Sequence, residues 1–179
     1  RPCKACAKPF VPAKPMQSVC GPRCAVRKVK QDKTDERAKV KTRRETIKTL
    51  PKLKAEAQAA FNAFIRARDQ IAGHQCISSG SPLDWSGNQV DAGHYRSVGA
   101  AAHLRFNEDN CHAQRKHDNQ WLSGNAVDYR IGLIARIGLA RVEALESDNT
   151  VRKWTADELR QIRDTYRTKL KQLRDGECE

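Results

Sequence analysis

Long apolar runs are absent from this chain. No stretch approaches the roughly 18 apolar residues of a membrane-spanning helix, and the first residues lack the apolar core of a secretory signal. Aromatic residues are scarce, at 6% of 179 positions, and hydrophobic residues reach only 39% against 31% charged. A modest core with extended, solvated parts follows, within one domain and a small appendage. Acidic residues are what the first third lacks: residues 1–54 hold 17 Lys+Arg against 4 Asp+Glu, whereas residues 55–179 hold 17 of each. The whole formal charge of +13 therefore sits in that first third. The seven cysteines are odd in number and too sparse for a disulfide scaffold of this length, so a soluble protein of a reducing, intracellular compartment is expected.

What is present divides the chain. Pro2, Pro9, Pro12, Pro15 and Pro22 break up the segment around the first cysteines, which is read as short turns. From Ala25 to Leu50 the sequence is rich in Lys, Arg and Glu, and an isolated helix of that polarity is marginal unless something binds it. After Pro51, the residues Leu53, Ala57, Ala60, Phe61, Phe64 and Ile65 recur at helical steps and predict a packed helix. Gly73–Asn88 reads as a loop, followed by strand-like segments at Gln89–Tyr95, Leu104–Phe106 and Asn110–Gln114. Val127, Ile131, Ile134 and Ile137 predict a second packed helix stopped by Gly138. Thr155 and Glu158 have the spacing of a capping box, with Trp154 and Leu159 as its hydrophobic staple. The helix they open carries an apolar face of Leu159, Ile162, Tyr166, Leu170 and Leu173.

Cys3, Cys6, Cys20 and Cys24 form two close pairs separated by 13 residues. Such pairs on two turns suit the four thiolates of a structural Zn²⁺, and metal binding would supply the folding energy that this Pro-rich segment lacks. A disulfide reading of the same residues fits the composition less well.

A second constellation carries chemistry. Asp91-Ala92-Gly93-His94 is followed at Asn119 by an amide on a short predicted helix, the layout of a ββα-metal nuclease. Phosphodiester hydrolysis needs a neutral imidazole to deprotonate water, which assigns His94 as the base. It also needs a hard cation, Mg²⁺ or Mn²⁺, for which Asp91 and Asn119 offer a carboxylate and an amide oxygen. On residue types alone, a turn hydrogen bond for Asp91 and His94 and a helix cap for Asn119 remain open. His112 and His117 compete for auxiliary roles with ordinary packed or surface positions. His117, two residues before Asn119, is placed to approach phosphate, and Asn110 is a further auxiliary candidate. Cys76 and Cys111 read as small buried residues, and Cys178 as a free thiol near the terminus.

The stretches Cys76–Ser79, Asp91–Tyr95, Leu104–Asn107, Asn110–Gln114, Leu122–Asn125 and Tyr129–Gly138 together resemble the lambdoid phage NinG family, also called Rap. The N-terminal cysteine pairs and Arg152–Thr155 extend the resemblance over nearly the whole chain. It implies a structure-specific endonuclease that nicks branched DNA, D-loops and Holliday junctions in phage recombination, acting in the host bacterial cytoplasm. It also implies two further cysteine pairs framing the nuclease motif, but here those positions read Cys76, Ser79, Arg115 and Asp118. A second zinc is therefore not expected. An Arg115–Asp118 ion pair is the suggested replacement, worth about 0.3–0.5 kcal/mol if exposed.

The expected architecture is α+β and mainly helical. A zinc-binding module over residues 1–24 leads to a basic and amphipathic helical region over 25–72. An HNH-like ββα-metal nuclease domain with C-terminal helices covers 73–179. Arg27, Lys28, Lys30, Arg43 and Arg44 of the basic stretch are assigned to DNA backbone contacts, and Arg96 and Arg105 to the scissile region. The expected partners are branched DNA and a second copy of the chain in a homodimer, with no membrane. A less selective HNH nicking enzyme and a non-catalytic zinc-containing DNA-binding protein are the alternatives.

Overall fold

Proline sets the character of the first residues: Pro2 and Pro9 form an isolated antiparallel bridge, and turns carry the chain to Gly21. There Pro22 occupies the first turn of α1 (Pro22–Thr46), a position whose N–H needs no helical partner. No residue of this 25-residue helix is buried. The computed structural model describes residues 1–176, and these divide into two compact units, Arg1–Lys48 and the chain from Thr49 onward. The boundary falls inside the segment expected as one helical region. Cys178 lies outside the described residues.

In the second unit, α2 (Leu50–Ile71) carries Pro51 in its first turn and buries Leu53, Ala57, Ala60, Phe61, Phe64 and Ile65, the stripe that the sequence predicts. It packs along α6 (Ala156–Gly176), whose Leu159 and Tyr166 are buried, with Ile162, Leu170 and Leu173 at the margin. Phe61 meets Tyr166 and Phe106 edge-on, at centroid distances of 4.8 and 5.8 Å, an orientation that aromatic quadrupoles favour. The capping box forms: Thr155 N–H reaches Glu158 Oε2 at 2.8 Å, and Glu158 N–H reaches Thr155 Oγ1 at 3.3 Å.

Packed on α2 is an antiparallel hairpin of β1 (Val90–His94) and β2 (Cys111–Arg115), in register from Val90 opposite Arg115 to His94 opposite Cys111. Its Ala92 and Cys111 side chains join the α2–α6 core. On the other side, α3 (Lys116–Gln120), α4 (Ala126–Ile137) and α5 (Leu139–Ser147) follow in order. A second core joins Ile77, Ala101, Leu104, Tyr129, Leu133, Val142 and Leu145. Asp69, fully buried, ties three elements together: it lies 2.7 Å from Arg68 and 3.6 Å from Arg136 of α4, and accepts the Ala113 N–H of β2 at 2.6 Å. Removing one partner from such a buried pair costs about 3–5 kcal/mol.

Three sequence expectations change. Leu104–Phe106 is not a strand; Ala102–Leu104 is a 3₁₀ turn, because Leu104 packs into the second core and Phe106 into the first. The buried side of α4 is Tyr129 and Leu133, with Ile134 and Ile137 beside them, whereas Val127 and Ile131 are exposed. Gly138 does end α4, but α5 begins at the next residue. Among the described residues, no helix is long and apolar enough to cross a membrane.

Candidate functional site

The four N-terminal cysteines converge, their Sγ atoms all lying within 4.8 Å of one another. Cys3 is buried, and the Cys20 N–H points at its sulfur at 3.3 Å. Burial of Cys3 works against the thiolate, but N–H groups of Ala5, Cys20 and Cys6 outweigh it and bring its pKa down to about 6. The hydrogen bond with Cys24, followed by those with Cys3 and Cys6, pushes Cys20 up to about 12. Four sulfurs this close together offer a soft donor set that could hold zinc. Cys24 belongs to the first turn of α1, so the cluster is built into the start of that helix. Arg27 is drawn to it, donating to the Ala5 carbonyl and approaching Cys24 Sγ at 3.9 Å. Lys28 pairs with Asp32 one turn on. Lys30 lies within α1, and Arg43 and Arg44 lie in its last turn.

At the hairpin, the register places Asp91 opposite Gln114 and His94 opposite Cys111. Asp91 Oδ2 accepts two side-chain amides, from Asn119 and Gln120 of α3, each at 2.9 Å. The structure thus joins Asp91 and Asn119 across 28 residues. Gln120 was not anticipated; the only signal for it is a second amide directly after Asn119. Three residues along a strand, His94 leaves β1 on the face opposite Asp91 and sits against Phe61, with ring centroids 6.0 Å apart.

The His94 imidazole is oriented by two contacts. Its Nε2 lies 2.9 Å from the Arg105 carbonyl, which can only accept, so Nε2 carries the proton. Nδ1 keeps its lone pair and faces the Cys111 sulfur at 3.7 Å. Burial, followed by the nearby Arg105 charge, lowers the His94 pKa and favours the neutral ring, while burial holds Cys111 as a neutral thiol. Arg105 donates to Gln58 Oε1 at 3.0 Å, and its Nε is buried without a partner.

Asn110 explains why the loop after β1 keeps its shape. Fully buried, it accepts the Arg96 N–H at 2.8 Å and donates to the carbonyls of Arg96 and Leu104 at 3.0 and 3.3 Å. Arg96 itself, expected at DNA, donates to the carbonyls of Leu145 and Asp148 and to Asn149 Oδ1, fastening the end of α5 to this loop. His112 is buried among packed groups and is not a surface ligand.

The positions framing the motif also meet. Asp118 Oδ2 accepts the Cys76 thiol and the Ser78 hydroxyl, each at 3.3 Å, and the Arg115 N–H reaches Cys76 Sγ at 3.3 Å. Burial opposes the Asp118 charge, but hydrogen bonds from Ser79, Cys76, His117 and Ser78 keep its pKa below the ordinary value. The expected Arg115–Asp118 ion pair does not form. Asp118 turns inward to the Cys76–Ser79 turn and His117 Nδ1, 3.4 Å away, while the Arg115 side chain is exposed.

Comparison with known proteins identifies the family of the chain. The family described as Bacteriophage Lambda NinG protein matches residues 1–177. The ninG protein of Salmonella phage P22 is 41% identical, covering all of this chain and 96% of its own length. Those of Escherichia phages lambda and 933W are each 40% identical, with the same coverage. No solved structure matches the chain. With both cysteine pairs, the hairpin and the C-terminal helices inside the matched span, the chain belongs to the NinG family of lambdoid phage proteins.

Proposed function

We propose that this protein is a metal-dependent endonuclease that nicks or resolves branched DNA, with Zn²⁺ held by Cys3, Cys6, Cys20 and Cys24 in a structural role. The observation that carries the reading is the 2.9 Å pairing of Asp91 with Asn119 beside a hairpin whose His94 keeps Nδ1 free of a proton. The donor set fits a hard dication: one carboxylate and one amide, which presents its oxygen after turning over, leave most positions to water and phosphate. Asp91 and Asn119 would hold Mg²⁺ or Mn²⁺, which supplies neutralisation of the charge on the scissile phosphate. His94 would take a proton from the attacking water, and reaching it requires the imidazole to turn away from the Cys111 sulfur that Nδ1 faces. The half-buried Arg105 supplies positive charge next to that imidazole. The basic α1 contributes backbone contacts that read no sequence, which suits recognition of shape. A homodimer would bring two such sites to two strands.

A second reading, a DNA-binding protein without catalysis, draws support from the opposite faces on which Asp91 and His94 leave β1. Incubation with four-way and linear DNA in Mg²⁺ separates the readings. Cutting confined to the junction is expected, with His94→Ala abolishing cleavage and leaving junction binding nearly intact. Cutting of both DNAs would indicate a general nicking enzyme, and binding without cutting would support the non-catalytic reading.

A further inference from the structure

Trp121 stands in solvent, 77% exposed, directly after Gln120 and its bond to Asp91. Of the three tryptophans it alone is so placed, Trp85 and Trp154 being half-buried. The turn that presents it is fixed from several sides. Trp121 N–H closes on the His117 carbonyl at 2.9 Å, and Asn125 N–H on that of Leu122 at 2.8 Å. Ser123, Gly124 and Asn125 all adopt left-handed backbone, with φ of 52°, 83° and 47°. From within the fold, buried Gln114 reaches the Gly124 carbonyl at 2.8 Å. A turn held in sparsely populated conformations, and anchored from the interior, presents an apolar ring to water.

Four residues before Trp121, His117 shares its side of α3, and its side chain is 65% exposed. Arg115 and Lys116 add positive charge immediately upstream. A flat, electron-rich ring amid cations is a surface for a nucleobase that has lost its stacking partner, since every base offers a π-face whatever its sequence. We propose that Trp121, with His117 beside it, stacks on an unpaired base at a DNA branch point and so places the adjacent phosphate at Asp91 and Asn119. The proposal rests on the branched-DNA reading above. It gives that reading a source of selectivity that a uniformly basic arm lacks, because bases inside a linear duplex have no free face to offer. The exposed Val127 and Ile131 of α4 raise a second copy of the chain as the other occupant. The charges of Arg115 and Lys116 beside Trp121 complement a phosphate backbone, which favours DNA.

The test uses the full chain as wild type, Trp121→Ala and Trp121→Phe, with 2-aminopurine at the branch point of a four-way junction and Ca²⁺ replacing Mg²⁺ to suppress cutting. Trp121→Ala is expected to bind the junction about tenfold more weakly and to lose the change in branch-point fluorescence, with linear-duplex affinity unchanged. Trp121→Phe should restore most of both. Equal junction affinity and fluorescence in all three proteins overturns the proposal, as does failure of the wild type to bind the junction. Cleavage in Mg²⁺ is scored separately. A wild type that cuts nothing, with Trp121→Ala still impaired in junction binding, retains stacking and removes the nuclease reading. A wild type that cuts, with Trp121→Ala binding alike, does the reverse. A dimer in sedimentation that Trp121→Ala converts to monomer, with the fluorescence change intact, assigns the surface to a second copy and overturns stacking.

Discussion

His112 shows how one buried side chain sets the acid limit of the fold. It is 3% exposed with its Nδ1 unpartnered, and burial, followed by the charge of Arg68, lowers its pKa to about 3. The unfolded chain therefore takes up this proton first. The contribution of His112 to stability is full above about pH 6.5 and falls by up to about 1.4 kcal/mol per pH unit on acidification toward the folded value. Burial shifts His94 and His74 in the same direction. Urea midpoints between pH 7 and 4.5 should decline for the wild type and flatten for His112→Gln; an unaltered slope in the variant would refute the assignment. At this scale the sequence was informative about residue types and uninformative about facing. Asp91 and Asn119 were readable as a pair from their chemistry. The contact of His94 with Cys111 depends on hairpin register, and the inward turn of Asp118 on Ser78, 40 residues upstream; spacing encodes neither.

Among the elements, α1 has the least to hold it, with no buried side chain and the cysteine cluster closing on its first turn. One zinc per chain is expected, and chelation should remove the α1 contribution to the circular dichroism signal at 222 nm while the α2–α6 core stays folded. Unchanged ellipticity after complete zinc removal would sink the coupling. The packed helices α2 and α6 were legible because their apolar residues fall on a single stripe, and α6 also announces its start through Thr155 and Glu158. Apolar residues surround α4 on most sides, so periodicity alone could not decide between Val127–Ile131 and Tyr129–Leu133 as the buried face. The short α5 buries only Val142 and Leu145, too few positions to show a period.

Across the whole molecule, charge and core are segregated: the excess of basic residues lies in residues 1–54 and both cores lie beyond Lys48. A fragment beginning at Thr49 should fold cooperatively by itself. Its DNA affinity should be weaker and less dependent on salt, because a log–log slope of about −0.9 accompanies each phosphate contact on duplex DNA. An unchanged slope would deny the arm its share of the binding. The bareness of α1 bears on how such a protein can change over generations. A helix that buries nothing is constrained only by helical propensity and by its surplus of cations, so most substitutions along it escape the packing penalties that restrain α2. Arms from relatives should therefore be exchangeable near residue 48, and grip on DNA can drift or be retuned while the hairpin and its carboxylate–amide pair stay as they are.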